Sequence, residues 1–465
     1  MTAAHTNQRS VLGGQFDLLS GVFGDKETDV IFSEEALVGA WLEVEVALAE
    51  AQSDLGVIPA EAASAIAAAA LSNHIDLQEL REATWTVGYP ILPLIEQIAA
   101  DAPKVVGDYL HWGATTQDIM DTALSLQVRR GIARITSLLL ALGDRTALLA
   151  LEHRRTVMAA RTHAQQAVPT TFGAKAAVWL DELSRHLERL DAAGRRAIVV
   201  QLFGAAGTSA SLGSSGAAVR SAVAEKLNIG VADIPWHAAR DRLAEVGFVL
   251  GALAATCGKI AHEIIDLSRT EIAEVREQAT PLSGLSSTMP QKVNPILSET
   301  VVAMSVLARE RVASLLAAMQ AGHERSAGEW QIEWDALPSL FRLAAGSLRN
   351  TTLVLDTLHV MPERMRTNLE LDGGMVMAEA VMMALAPRVG RLEAHRYVSD
   401  ACRDARRRDA PLAAMLAETL EPQLLDTLPP LDELLAPASY LGDVDDAVET
   451  ACLRWRATAE ARMPQ

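Results

Sequence analysis

Apolar residues recur through most of this chain at intervals of three and four residues. Leu37, Trp41, Val44 and Leu48 form one such stripe near the start, and this spacing places all four on one face of an α-helix. No run of alternating apolar and polar residues is long enough to predict a sheet. Half of the residues are hydrophobic but only 4% are aromatic, and the abundant alanine and leucine favour helices. The pattern therefore predicts an all-α fold.

Prolines indicate where the longest helices run, because proline breaks a helix interior. Four long stretches contain no proline: 104–168, 170–234, 236–280 and 296–337. Their apolar residues lie on several sides of the predicted helices, which is typical of helices buried in a bundle or at a subunit interface. We therefore predict three helical domains, namely an N-terminal domain over residues 1–105, a central bundle of long helices over 106–352 and a C-terminal domain over 353–465.

The charge balance and the cysteine content narrow the class of protein. With 41 Lys and Arg against 59 Asp and Glu, the net charge is -18, and such an acidic chain repels nucleic-acid phosphates. The three cysteines lie far apart, as is usual for reduced thiols of a cytosolic protein. The N-terminus lacks the layout of a signal peptide, and the apolar run at 247–261 is too short and too rich in small residues to cross a bilayer. We expect a cytoplasmic protein without nucleic-acid or membrane partners.

Three polar segments interrupt the predicted bundle, and each lies beside glycine or proline at the end of a predicted helix. They are HWGATTQDIMDTA at 111–123, RTHAQQAVPTTFG at 161–173 and SGLSSTMPQKVNPILSE at 283–299. Taken singly, each has a structural explanation, because short oxygen side chains cap helices and paired serines form turns. A histidine such as His111 or His163, taken alone, is more often structural than catalytic.

Other ligand and catalytic motifs fit the sequence less well. The histidines show no HExxH pairing, so we expect no zinc or other metal. The glycines at 203–213 form neither GxGxxG after a strand nor a GxxxxGK[ST] loop, so we expect no nucleotide cofactor. GxSxG is absent, and the helical pattern does not suit the turn that this motif needs, which leaves a serine hydrolase only as a weak alternative. We predict no metal and no cofactor.

Together the three segments resemble the signature of the fumarase/aspartase superfamily, and the resemblance extends over nearly the whole chain. LSSTMPQKVNP at 285–295 is similar to the GSSxMPxKxNP loop of the superfamily, and the other two segments are similar to its HxGxTSxDxxDT and RTHxQxAxPxTxG segments. The flanking sequences look most like the 3-carboxy-cis,cis-muconate cycloisomerase branch. The resemblance implies a homotetramer whose central helices form one shared bundle, with each active site assembled from three subunits.

The resemblance also implies the chemistry, in which a proton next to a carboxylate is removed and a group departs from the neighbouring carbon. Such a step needs hydrogen-bond donors that stabilise the resulting aci-carboxylate. By position, Ser286 is the general base, His163 helps to protonate the leaving group, and Glu299 pairs with that histidine and orients it. The residues implied to bind substrate are Thr115, Thr116, Gln165, Gln201, Arg240, Ser287, Lys292, Asn294 and His111. For His111 a structural role is equally open.

Two departures separate the chain from the bacterial cycloisomerases of that branch, which usually carry Trp where His163 stands and lack an acid at the position of Glu299. The loop also reads MPQKVNP where they favour MPHKRNP, and Leu285 replaces the leading glycine. We therefore predict a lyase that breaks or forms a C–N or C–O bond of a substituted succinate.

Three alternatives remain beside the lyase. The first is a 3-carboxy-cis,cis-muconate cycloisomerase, and the second is a cofactor-independent epimerase of an aminosuccinate such as an iminodisuccinate-like compound. The third is a catalytically inactive structural relative, against which the retained Ser286, Lys292, Asn294 and His163 argue. The expected partners are a small dicarboxylate or tricarboxylate substrate and other copies of the same chain.

Overall fold

The computed structural model describes residues 21–72, 75–277 and 284–462, and it confirms the predicted all-α class. Within these ranges the α-helices are α1 Lys26–Ile31, α2 Glu34–Asp54, α3 Ala60–Ser72, α4 Leu77–Val87, α5 Ile91–Ala100, α6 Lys104–Tyr109, α7 Thr116–Glu152, α8 Phe172–Ala197, α9 Gly216–Leu227, α10 Asp241–Leu267, α11 Ile296–Ala318, α12 Glu329–Asp356, α13 Pro362–Leu369, α14 Ala378–Val389, α15 Arg391–Arg408, α16 Leu412–Thr419, α17 Pro422–Leu425, α18 Leu431–Leu434 and α19 Val444–Glu460. Short 3₁₀ helices cover Gly21–Phe23, Ala210–Ser215, Met375–Met377 and Pro437–Ser439.

Short strands lie between the helices, although the sequence pattern predicted no sheet. Within the described ranges they are β1 Val157–Thr162 and β2 Gln165–Thr171, which form an antiparallel hairpin, β3 Val199–Val200 and β4 Gly230–Val231, which pair in parallel, and β5 Val275–Glu277 and β6 Leu358–Val360, which pair antiparallel. Several of these strands are only two or three residues long, too short to show an alternating pattern. They fix the ends of loops between helices.

Local sequence cues explain where several helices begin and end. Asp25 caps α1 by accepting a hydrogen bond from the backbone N–H of Thr28, and Ser33 caps α2 in the same way. The 37-residue helix α7 lies entirely within the first proline-free stretch. Pro338, however, lies inside α12, so the expectation that this proline bounds a helix is wrong. Leu337, immediately before it, and Leu340, two residues after it, are fully buried, and we attribute the continuation of the helix to this burial.

The chain divides into two compact units, each assembled from separate stretches of sequence. The first unit contains the described residues up to Leu139 together with His186–Gly258 and Thr300–Arg349, and the second contains the described remainder. Buried side chains of α2, α3, α5, α7 and α9 form a core of the first unit. Buried side chains of α14, α15 and α16 form one in the second. The division into three domains at residues 105 and 352 stays a prediction.

The apolar run at 247–261 belongs to α10, which has 27 residues. This helix is long and apolar enough to cross a membrane by length and composition, so the expectation that the run is too short is wrong. Of its most apolar window, 72% is buried inside the protein. A buried core helix passes the same test, and this burial identifies α10 as such a helix.

Candidate active site

His163 lies at the tip of the β1–β2 hairpin in the second unit. Thr162 pairs with Gln165, so His163 and Ala164 form a two-residue turn, and both have left-handed backbone angles, with φ of 51° and 62°. Turns of this type require positive φ at both central positions and normally contain Asn or Gly. Residues other than glycine have a strained backbone at these angles, and such strain is often retained for function. The turn leaves His163 exposed.

Buried polar contacts fix the hairpin at some distance from this tip. Arg161 donates to both carboxylate oxygens of Glu274, at 2.9 Å to Oε2 and 2.6 Å to Oε1. Asn368 donates from Nδ2 to Glu274 Oε1 at 2.8 Å, and its own carbonyl accepts from Gln166 Nε2 at 2.8 Å. The Glu274 side chain is fully buried. Gln165, by contrast, is exposed beside the tip, where its Nε2 donates to the carbonyl of Ala164 at 3.1 Å.

The third polar segment forms a closed loop over residues 284–295, and its residue 283 lies outside the described residues. The N–H of Asn294 donates to the carbonyl of Gly284 at 2.8 Å, and a β-bridge joins Leu285 to Val293. Gly284 has φ of 73°, and a Cβ there would lie 2.1 Å from the carbonyl oxygen of Asn294. The loop therefore needs glycine at position 284, one residue before the position where the superfamily pattern has it.

Ser286 is the only one of the predicted loop residues for which the described structure records a side-chain hydrogen bond. Its Oγ accepts from the N–H groups of Met289, at 3.0 Å, and Thr288, at 3.3 Å. Two backbone donors directed at one oxygen stabilise negative charge on it. The Ser286 side chain is partly exposed, as is Asn294, whereas Ser287 and Lys292 are exposed. The loop thus carries a serine whose Oγ accepts two backbone hydrogen bonds, together with the cation of Lys292 and the amide of Asn294.

Glu277 holds the start of the helix that follows this loop. Its carboxylate accepts from the N–H of Leu297 at 2.7 Å, from the N–H of Ser298 at 3.0 Å and from Ser298 Oγ at 2.6 Å. Glu277 is buried, and an acidic group suits the positive end of the helix. Glu299 lies in the same first turn and is exposed. In the part of the chain that the structure describes, no hydrogen bond joins Glu299 to His163, so their pairing stays a prediction.

In the first unit, Asp118 organises the segment 111–123. Its Oδ2 accepts from the N–H groups of Thr115 at 3.1 Å and Gly204 at 2.9 Å, and its Oδ1 accepts from the N–H of Phe203 at 3.0 Å. The same Oδ1 lies 2.9 Å from Nε2 of His237, and both side chains are buried. Asp118 was not among the predicted site residues, although it lies within the first polar segment.

Thr115 and Thr116 are partly exposed at the start of α7. Gln201 is fully buried, and its Oε1 accepts from the N–H of Trp236 at 3.2 Å. Its Nε2 has no hydrogen-bond partner within the described residues. A buried amide donor without a partner is costly, which makes Gln201 Nε2 a donor that a ligand could satisfy. The contact with substrate predicted for Gln201 stays a prediction.

Arg240 lies at the centre of a buried ion-pair network. It donates to Asp121 Oδ2 at 2.7 Å from one guanidinium nitrogen and to Glu333 Oε1 at 2.9 Å from Nε, and all three side chains are at most 1% exposed. Burial by itself lowers the pKa of Arg240, but the two carboxylates outweigh it and raise that pKa above its ordinary value. The structure thus gives Arg240 a structural role, and its contact with substrate stays a prediction.

His111 also has a buried carboxylate partner, because its Nδ1 lies 2.6 Å from Oε1 of Glu45. Its backbone has φ of 62°, a left-handed angle that is unusual for histidine. Within the described ranges, no group of three or more His, Cys, Asp or Glu side chains is placed to hold a metal ion. The structure thus collects Thr115, Thr116, Gln201, Arg240 and His111 in the first unit and the other predicted site residues in the second.

Two family models match this chain. The model described as Lyase matches residues 24–309, and the model described as Adenylosuccinate lyase C-terminus matches residues 374–451. The first match alone covers more than half of the chain.

Several individual proteins are similar to this chain over nearly their whole length. Trans-aconitate decarboxylase 1 of Mycosarcoma maydis is 40% identical over 94% of this chain and 88% of its own length. The 3-carboxy-cis,cis-muconate cycloisomerase of Acinetobacter baylyi is 40% identical over 93% of this chain and 97% of its own. Nitrosuccinate lyase of Streptomyces davaonensis is 38% identical over 93% of this chain and 94% of its own length. The crystal structure of the 3-carboxy-cis,cis-muconate lactonizing enzyme from Pseudomonas putida is 38% identical, with a TM-score of 0.89 over 95% of this chain and 99% of that one.

Proposed function

This chain belongs to the fumarase/aspartase superfamily, in its 3-carboxy-cis,cis-muconate cycloisomerase branch, and we propose that it removes the proton next to a carboxylate of a substituted succinate with Ser286 as general base. Its relatives are cycloisomerases and other lyases, so the chain is an enzyme of the lyase or cycloisomerase class. Within that class, the proposed reaction is elimination across a C–N or C–O bond, which yields an unsaturated dicarboxylate and a free amine or alcohol.

The hydrogen bonds to Ser286 Oγ carry this proposal. A serine hydroxyl is a weak base until it ionises, and the N–H groups of Met289 and Thr288 stabilise the ionised oxygen. The alkoxide takes the proton from the carbon next to the substrate carboxylate, and the released electron pair moves into that carboxylate as the aci form. Lys292 and Asn294, on the same loop, are the proposed donors to the aci-carboxylate.

The second half of the reaction concerns the leaving group. When the aci-carboxylate returns its electron pair to form the C=C bond, the bond to the amine or alcohol breaks, and this group needs a proton. His163, exposed at its strained hairpin tip, is the proposed source, either directly or through a water, with Glu299 as its carboxylate partner. The presence of both residues favours the lyase over the cycloisomerase.

The proposed enzyme is a homotetramer in which each active site takes its three polar segments from different subunits. The long helices support this assembly because they expose large apolar side chains. Val178 on α8 is 58% exposed, Phe248 on α10 is 57% exposed and Leu316 on α11 is 53% exposed. Apolar side chains that recur on several helices in this way are typical of a surface covered by another protein chain. The exposed candidate residues of the second unit then gain partners on assembly.

Isotope exchange tests the proposed base directly. Purified enzyme is incubated in heavy water with amino-, alkoxy- and nitro-substituted succinates, with trans-aconitate and with 3-carboxymuconate, and deuterium uptake is followed by NMR. We expect Ser286→Ala to lower exchange into the substrate by about 10²-fold to 10⁴-fold, with the native mass in light scattering unchanged. Ser64→Ala, an exposed serine on α3, is the matched control. Near-normal exchange by Ser286→Ala rules out Ser286 as the base.

The products distinguish the alternatives. Release of an amine or alcohol with a fumarate-type acid supports the lyase, a lactone supports the cycloisomerase, and carbon dioxide supports a decarboxylase like the Mycosarcoma relative. Deuterium uptake with inversion and no other product supports the epimerase. If none of these compounds exchanges deuterium or reacts, the catalytic proposal is wrong and the inactive structural relative is supported.

A further inference from the structure

Glu45 is a buried carboxylate with a single side-chain partner among the described residues. It lies on α2 with its side chain 1% exposed, and its Oε1 is 2.6 Å from Nδ1 of His111. Its second oxygen, Oε2, has no hydrogen-bond partner within the described residues. Removing a carboxylate charge from water is costly unless an opposite charge compensates it. A protonated His111 is the group in contact that provides this compensation.

The same face of α2 also fixes the backbone beside His111. Gln52 lies seven residues after Glu45, two helical turns away and therefore on the same side of the helix. Its Nε2 donates to the carbonyl of Trp112 at 2.7 Å. His111 itself has left-handed backbone angles, which cost energy for a residue with a side chain. Glu45 and Gln52 thus hold a strained turn and its imidazole in one orientation.

This orientation leaves one ring nitrogen of His111 available. Nδ1 is directed at Glu45, while Nε2 has no protein partner in the described part of the chain, and the side chain remains 18% exposed. Burial lowers the pKa of His111, but the charge of Glu45 and the hydrogen bond to it, with a smaller contribution from Asp118, outweigh burial and raise that pKa. Among the described residues, Glu45 on α2 contacts the ring, and Asp118 on α7 is the further charged group that acts on it electrostatically.

We propose that Glu45 is a positioning residue that holds His111 as an imidazolium, whose Nε2–H binds a carboxylate of the substrate. The inference rests on the proposed function for the identity of the ligand, but the Glu45–His111 pair itself does not. A charge-assisted hydrogen bond from a preoriented imidazolium is stronger than one from a neutral ring. The pair therefore assigns His111, for which a structural role was equally open, to substrate binding.

The first test measures the charge of His111 without substrate. The ring is titrated by NMR in the wild type and in Glu45→Gln, with Glu43→Gln as the matched control, because Glu43 lies on the same helix in a half-exposed pair with Arg130. We expect the midpoint of the His111 titration to move to lower pH in Glu45→Gln and to stay unchanged in Glu43→Gln. An unchanged midpoint in Glu45→Gln overturns the proposal.

Unfolding free energy provides a second readout that needs no activity. The pKa of His111 is raised in the folded protein, so its stabilising effect is complete below the ordinary histidine pKa of about 6.5 and is lost as pH rises through the raised folded value. We expect this loss in the wild type and a weaker one in Glu45→Gln. If Glu45→Gln does not fold, Glu45→Asp is measured instead. It keeps the charge on a side chain one methylene shorter and should retain part of the pH dependence. If the folded variant and the wild type show the same dependence of unfolding free energy on pH, the proposal is overturned.

The third test compares the effects of the Glu45 variants on KM and on kcat. At neutral pH, Glu45→Gln should raise KM about 10-fold, as loss of a charge-assisted hydrogen bond predicts, change kcat little and move the alkaline rise in KM to lower pH. Glu45→Asp should recover part of the loss. A shifted titration with unchanged KM overturns the carboxylate contact and leaves the pair structural. If no substrate turns over, the proposed function fails, while the titration still decides the role of Glu45.

Discussion

In the first unit, buried carboxylates contact the candidate residues themselves, whereas in the second unit they contact the structure that carries those residues. Asp118 and Glu45 accept directly from the polar segment that contains Thr115 and His111. Glu274 and Glu277 instead fix the hairpin and the helix start, while His163 is exposed at its turn and Ser286 is partly exposed in its loop. The comparison distinguishes a preformed group of candidate residues in the first unit, held directly by buried charges, from a presented group in the second unit, carried by anchored elements.

The two groups should respond differently to substitution. A residue that is held by buried charges cannot be removed without leaving those charges unpaired, so its loss acts mainly on stability. An exposed residue makes few stabilising contacts in the folded chain, so its replacement acts mainly on the reaction. Stability and activity measured together therefore test the comparison.

The largest effect on stability is expected for Arg240→Ala. This change leaves Asp121 and Glu333 buried without their cation, which should lower the free energy of unfolding by about 3–5 kcal/mol. Urea denaturation at fixed protein concentration measures it. Arg196→Ala is the matched control, because Arg196 pairs with Glu245 at the surface, and its loss should change the free energy of unfolding far less. A cost below about 1 kcal/mol for Arg240→Ala contradicts the structural role.

The sequence predicted the framework of the first unit well because its signals are local. The stripe from Leu37 to Leu48 lies in α2, and the first proline-free stretch contains α7. Periodicity and proline positions depend on neighbouring residues, so one sequence reveals them. Pro338 was misread because the packing around it, which the pattern does not report, maintains α12.

The anchoring carboxylates could not be predicted in this way. Glu45 is 66 residues from His111, and Glu274 is 113 residues from Arg161. Such pairs form only when the fold brings distant segments together, and nothing in the neighbourhood of either glutamate indicates its partner. The resemblance to a family supplied the candidate residues, while the contacts that hold them became visible only in three dimensions.

A smaller effect with the opposite sign is expected at the hairpin tip. Ala164→Gly should raise the free energy of unfolding by about 1 kcal/mol, because glycine adopts the left-handed angle of the turn without strain. Ala167→Gly, on strand β2, is the control and should lower it by about 0.5–1 kcal/mol, since glycine weakens a strand. Thermal and urea unfolding measure both. If Ala164→Gly destabilises the protein, the turn is not strained and the argument for a retained functional geometry fails.

The smallest effect on stability is expected for Lys292→Gln, in the presented group of the second unit. Lys292 is exposed, and its loss should change the free energy of unfolding by no more than about 0.5 kcal/mol while KM for the substituted succinate rises. Lys104→Gln, an exposed lysine on α6, should change neither quantity. If Lys292→Gln instead costs stability on the scale of Arg240→Ala, this loop is held by charge pairing as the first unit is. The distinction between a preformed and a presented group would then be wrong, because both groups would depend on buried charge pairs of the same kind.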